Sequence, residues 1–153
     1  MQDFGDDLRL IVPTWAFGMA IAEETWTGTR QFLYSLLSSQ LVVEGLKKIT
    51  QQERPNYSGS GDKDSFPSGH AAGAFTGATF IHVRYGLSHA LVPYWLATFV
   101  ACTRVESGRH YPRDVIIGAA ISAFFTLLFV DEKSQIELST RNDGIQVAYK
   151  IRT

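Results

Sequence analysis

Seven side chains in three short stretches of this chain could act together. The stretches are Lys47 with Arg54–Pro55, Pro67–Ser68–Gly69–His70, and Arg104 with His110 and Asp114. They supply three cations, two imidazoles, one hydroxyl and one carboxylate. Arginine forks match phosphate oxygens bidentately, and lysine adds a point charge. A histidine four residues before an aspartate can receive a carboxylate at one ring nitrogen and keep the other as a nucleophile. Such a set suits holding a tetrahedral oxyanion while one histidine attacks it and another protonates what leaves. It is an inventory for phosphoryl transfer.

Taken singly, each residue has a plainer explanation. Lys47 would be a solvated charge at a helix end, Arg54 a loop cation, and Ser68 a helix N-cap. Their combination changes that balance. A helix starting at Pro67–Ser68–Gly69–His70 turns free backbone N–H groups and the positive end of its dipole toward an anion. Gly69 lets the main chain approach a ligand without a Cβ in the way, and His70 places an imidazole in the same turn.

The order and spacing go further. Lys47, six residues, Arg54–Pro55, then Pro67–Ser68–Gly69–His70, then Arg104, five residues, His110, three residues and Asp114 resembles the type-2 phosphatidic acid phosphatase superfamily. That superfamily includes lipid phosphate phosphatases, bacterial nonspecific acid phosphatases and vanadium haloperoxidases. The resemblance covers residues 47–114, with one departure: Thr103 stands where the third motif usually has serine. It implies a metal-independent phosphatase acting on a phosphate monoester, a lipid phosphate in the first instance, through a phosphohistidine. His110 would attack phosphorus, Asp114 would fix its tautomer, and His70 would protonate the leaving alkoxide and then activate water. Lys47, Arg54, Ser68, Gly69 and Arg104 would hold the phosphate oxygens, with no cofactor. Transfer to a lipid or sugar acceptor shares the first step and is the alternative. A vanadate-dependent haloperoxidase fits less well, because those relatives are much larger chains. The implied location is the cell envelope, periplasmic or membrane-associated, with an outward-facing site.

The rest of the chain must position these groups. At 153 residues it is expected to form one domain with a buried core, residues 1–131 a helical bundle and 132–153 a tail. Near-neutral net charge and the lack of a basic stripe argue against nucleic acid as a partner. Periodicity and punctuation predict about five helices, over residues 5–22, 25–48, 68–85, 87–104 and 112–129, with Pro112 in the first turn of the last. The fold class expected is all-α, a compact bundle with a C-terminal β-hairpin. The hairpin reading rests on alternation in residues 136–140 and 145–149 around the Asp143–Gly144 turn signal.

Phe32, Leu33, Leu36, Leu37, Leu41 and Val43 read as the buried face of the second helix. Cys102 reads as a core thiol, and Trp15, Trp26 and Trp95 as packing anchors that could otherwise sit at a membrane interface. His82 and His89 match no motif, Glu23, Glu24 and Glu44 have no assignable partner, and the run 62–65 reads as solvated loop in preference to the lining of a pocket mouth. The acidic start lacks the features of a secretory signal, so the chain is either not exported or begins after a removed leader. Three apolar segments, residues 10–22, 87–103 and 115–130, fall near or below the roughly 20 residues that cross a bilayer. A soluble or membrane-associated protein is favoured over a fully integral one.

Overall fold

A computed structural model describes residues 2–22, 26–56, 63–131, 135–141 and 144–150, with side chains for 10–22, 26–56 and 63–131. Five helices are present: α1 (Gln2–Ile21), α2 (Trp26–Thr50), α3 (Gly69–Tyr85), α4 (Leu87–Glu106) and α5 (Pro112–Phe129). Their limits fall within three residues of those expected, because local chemistry sets them. Ser68 caps α3, its Oγ accepting the Ala71 N–H at 3.4 Å. Gly86, at φ 92°, makes the one-residue break between α3 and α4. Pro112 begins α5, where its missing N–H costs nothing.

Short links make α1–α2, α3–α4 and α4–α5 run in opposite directions. Helices α2 and α3, joined by the longer segment 51–68, are antiparallel too, Gln40 meeting Gly69 and Phe32 meeting Phe80. The C-terminal ends of α2 and α4 therefore gather with the N-terminal ends of α3 and α5. Lys47, Ser68–His70, Arg104 and His110–Asp114 all lie at that end. The topology alone brings together stretches separated by up to 67 positions (114 − 47).

Close approach holds the bundle together. A Cβ on Gly118 would lie 2.5 Å from the Ser68 carbonyl oxygen, so α5 meets the start of α3 only because this residue has no side chain. Gly77 does the same for α1, where a Cβ would lie 2.8 Å from the Val12 carbonyl oxygen. Around these contacts the interior consists largely of small residues, Ala16, Ala20, Ala74, Ala78 and Ala97, with Phe32 and Phe80 edge-to-face at 5.1 Å. Ser39 Oγ and Thr76 Oγ1 are 3.3 Å apart between α2 and α3.

The expected burial of α2 is corrected. Phe32 and Val43 are buried, but Leu33, Leu37 and Leu41 face outward, Leu41 being 73 % exposed, while Ser35 and Ser39 point in. Cys102 is exposed rather than packed. Trp15, Trp26 and Trp95 are not packing anchors either, with Trp95 66 % exposed. Small and hydroxyl residues fill the interfaces because they let backbones come close, which displaces the large side chains to the outside. Among the described residues, α5 is the one helix long and apolar enough to cross a membrane.

The expected C-terminal hairpin is not supported as part of the fold. Stretches Gln135–Arg141 and Gly144–Lys150 are traced as an antiparallel pair. Among the described residues, however, neither packs on a helix, and an isolated two-stranded ribbon is marginal in water. Residues 132–134 and 142–143, with half of the turn signal, lie outside the described residues, as do Glu23 and Glu24. The fold is all-helical.

The Gly118 contact has a measurable consequence. Gly118→Ala should destabilise the purified protein by about 1–3 kcal/mol, the usual penalty of overpacking. Gly45→Ala, in a helix interior where nothing lies within 4 Å of the added Cβ, should be neutral or stabilising by up to about 1 kcal/mol. Thermal unfolding of the two variants side by side checks this, and equal midpoints would remove the close-approach argument.

Candidate active site

The helix ends enclose a cavity of about 340 Å³ lined by Lys47, Arg54, Asp64, His70, Arg104, Arg109 and His110. Five of the eight expected residues therefore share one cavity. The other three, Ser68, Gly69 and Asp114, are not among its lining residues. Ser68 and Asp114 are fully buried, and the position of a Cβ on Gly69 is 3.6 Å from Lys47 Nζ.

Each cation is aimed by its own local structure. Lys47, in the last turn of α2, pairs with Glu44 one turn back at 2.9 Å. Arg54 is held bidentately by Asp64 through two adjacent N–H groups, Nε donating to Oδ1 at 2.8 Å and Nη2 to Oδ2 at 3.0 Å. Arg104 is buried in the last turn of α4. Its backbone carbonyl accepts the N–H groups of both Arg109 and His110 at 3.1 Å, which folds the α4–α5 loop back on the helix. In that loop Gly108 adopts φ 65° and accepts the Asn56 N–H at 3.2 Å. Asn56 Nδ2 also donates to the Ser107 carbonyl at 3.4 Å, so the segment following Arg54 is tied to the one carrying His110.

The buried His110 is oriented differently from the sequence expectation. Its Nδ1 lies 2.6 Å from the Ser65 carbonyl oxygen, whereas Asp114 Oδ2 is 3.9 Å away, outside hydrogen-bond range. A carbonyl only accepts, so Nδ1 carries the proton and Nε2 keeps its lone pair. Asp114 Oδ2 instead accepts the Ser65 hydroxyl at 2.6 Å and the Tyr111 N–H at 2.9 Å, while its backbone carbonyl accepts the Ser68 N–H at 2.9 Å. Burial lowers the His110 pKa from the usual 6.5. The Ser65 carbonyl and Asp114 oppose that shift, and the Arg54 and Lys47 cations reinforce it.

Three further residues belong to this region, two of them in the run for which solvated loop is preferred over pocket mouth in the sequence. Asp64 and Ser65 belong to the run read as solvated loop, yet Asp64 lines the cavity and Ser65 is fully buried; Asp62 lies outside the described residues. Arg109 adds a fourth cation to the wall. Its only sequence signal is its place beside His110. His82 is bound elsewhere, Nδ1 lying 3.1 Å from the Tyr94 hydroxyl.

A sequence model of the PAP2 superfamily matches residues 28–133. The chain belongs to the PAP2 superfamily. The lipid A 4′-phosphatase of Helicobacter pylori is 31% identical over 137 residues, which is 84% of this chain and 69% of that protein. The lipid A 1-phosphatase of Rhizobium johnstonii is 34% identical over 119 residues, 68% of this chain and 47% of that protein. The chain thus spans about two thirds of one PAP2 relative and about half of the other. Two crystal structures share the fold. Aquifex aeolicus LpxE has a TM-score of 0.67 at 23% identity and 82% coverage of both chains. The transmembrane PAP2-type phosphatidylglycerolphosphate phosphatase of Bacillus subtilis has a TM-score of 0.59 at 22% identity, covering 84% of this chain and 68% of that one. With its PAP2 relatives, the protein is a phosphoric monoester hydrolase.

The cation environment predicts the titration of His110. Burial first, and the neighbouring cations in addition, disfavour protonation of the imidazole, so its pKa should lie below 6.5. Arg54→Gln removes one of those cations and should move the midpoint upward. Ring-proton NMR of the two proteins, with His110→Gln to assign the signal, measures both values. An unmoved midpoint would mean that burial alone sets it.

Proposed function

We propose that this PAP2 protein hydrolyses the phosphate ester of a membrane lipid through a phosphohistidine on His110, the whole chain acting as one domain. The observation that carries the reading is the tautomer: Nδ1–H is held by the Ser65 carbonyl, so the lone pair of Nε2 is available in a cavity walled by Lys47, Arg54, Arg104 and Arg109. In the first step Nε2 forms the P–N bond as the ester P–O bond breaks, and His70 gives its proton to the departing alkoxide. In the second, His70 takes a proton from water, the hydroxide attacks phosphorus, and the P–N bond breaks to release phosphate and restore His110. The cations hold the non-transferring oxygens. Each contributes roughly 4 kcal/mol toward a unit charge about 4 Å away at an effective dielectric near 20, before desolvation. Asp114 balances the imidazolium that forms when His110 is phosphorylated.

Three features support a lipid substrate. Relatives act on lipid A by name. The outer face of the bundle carries Leu37, Leu41, Leu91, Trp95, Phe124, Leu127 and Leu128, each more than half exposed, as on a surface set against acyl chains. Charged residues concentrate at the end with the cavity, where a headgroup would sit. On this reading the helices stand in the membrane, with the cavity at its outer surface facing the cell envelope.

Mutation and inhibitors test the mechanism. His110→Ala should abolish phosphate release from lipid and soluble esters alike. His70→Ala should slow single-turnover cleavage of an alkyl phosphate by about 10²–10⁴-fold, the usual worth of a general acid. It should affect p-nitrophenyl phosphate far less, since that phenolate leaves without help; equal losses on both would make His70 a binding group. Turnover should survive excess EDTA and be blocked by vanadate. Loss on chelation with recovery on Mg²⁺ would overturn the assignment of phosphate binding to the cations.

A further inference from the structure

We propose that Asp114 orients His110 through Ser65, which is a positioning residue for the reaction. Ser65 is 0 % exposed and makes three short hydrogen bonds in three directions. Its N–H donates to the Gln52 carbonyl at 2.9 Å, its hydroxyl to Asp114 Oδ2 at 2.6 Å, and its carbonyl accepts from His110 Nδ1 at 2.6 Å. A carboxylate cannot donate, so the hydroxyl proton of Ser65 points at Asp114. Asp114 Oδ2 already holds two donors, Ser65 Oγ–H and Tyr111 N–H. At 3.9 Å it does not reach the imidazole. The link from carboxylate to nucleophile therefore runs through one residue, whose hydroxyl is anchored at one end and whose carbonyl holds the ring at the other.

The chemistry differs from a direct carboxylate–imidazole pair. A carbonyl cannot take the Nδ1 proton, so phosphorylated His110 keeps it and remains an imidazolium. That cation leaves phosphorus readily in the second step. The negative charge of Asp114 stays close enough to offset it without removing the proton. Anchored at both its N–H and its hydroxyl, the Ser65 carbonyl is fixed before substrate arrives, and the imidazole plane is fixed with it.

This inference rests on His110 being the nucleophile, and its test has one arm that does not. In full-length protein with ¹⁵N-labelled histidine, purified in detergent micelles, His110 should show the Nδ1–H tautomer near neutral pH. Ser65→Ala should give a mixture of tautomers, and Ser65→Thr, which keeps a hydroxyl, should restore the single form. An Nε2–H tautomer in the unaltered protein, or no change in Ser65→Ala, overturns the proposal whatever the activity. The second arm is a double-mutant cycle on p-nitrophenyl phosphate. Ser65→Ala should lower kcat about 10- to 100-fold, the usual effect of losing an orienting partner, with KM changed less. Asp114→Ala should then cost clearly less in the Ser65→Ala background than in the unaltered protein, because the link through Ser65 is already broken and only the charge of Asp114 is left to lose. A full, independent loss from Asp114→Ala in that background would show that the carboxylate acts on the ring directly, and would overturn the route through Ser65. If the tautomers behave as stated but no ester is cleaved, the orientation stands and the phosphohistidine reading falls.

Discussion

A carboxylate removed from water is stable only with donors around it, and Asp114 is removed completely. Its partners come from two directions. Tyr111 N–H belongs to its own helix start, whereas the Ser65 hydroxyl belongs to a segment 49 positions earlier. The Asp114 carbonyl takes the Ser68 N–H as well. One residue thus fastens the approach to α3 onto the first turn of α5, and Gly118 allows the contact by leaving room for the Ser68 carbonyl. Both proposed catalytic histidines hang from this junction, His70 just after Ser68 and His110 just before Tyr111. Their spacing is set by the junction rather than by either helix alone.

The same cations serve two ends. Lys47 and Arg54 face the cavity, and both disfavour the charged form of His110. A nucleophile must be unprotonated, and the groups suited to gripping phosphate oxygens also keep it so. In the proposed mechanism the ring gains positive charge among those cations as the P–N bond forms, which would raise the barrier unless charge of opposite sign lies behind it. The buried Asp114 carboxylate, 3.9 Å from Nδ1, occupies that position. Glu44 and Asp64 moderate the wall from the front, each bound to one cation. Charge is therefore layered across the site, acidic beside the ring and basic along the cavity wall.

What could be read in the sequence followed from residue type. Phosphate binding calls for arginine, lysine and histidine at particular separations, and a helix start calls for Ser68 or Pro112, so the motif residues and helix limits were legible. Contacts made by backbone atoms were not. No side-chain pattern reveals that the acceptor on His110 is the Ser65 carbonyl, since every residue has one; the spacing of His110 and Asp114 points to the wrong partner. Asp64 and Arg109 stayed hidden for a related reason. A charged residue in a polar loop looks the same whether it faces solvent or a cavity, and only the fold decides.

The α2 face was misread because apolar periodicity was taken to mark the interior. That inference holds when water surrounds the protein, since burying leucine then lowers the free energy. Between helices in a bilayer the driving force differs. Lipid tails are as apolar as leucine, so helices associate through close packing and polar contacts, which favour Gly, Ala, Ser and Thr inside. Ser35, Ser39, Thr76, Ser122 and Thr126 are buried here, whereas Leu37, Leu41, Leu127 and Leu128 point out. The inversion recurs on α2 and α5, whereas α3, enclosed by the other helices, buries Phe80 and Ile81 as well as its small residues. On α2 and α5 the hydroxyls of Ser35, Ser39, Ser122 and Thr126 are buried within the bundle, which lowers the mean hydropathy of these helices while their leucines stay on the outer face.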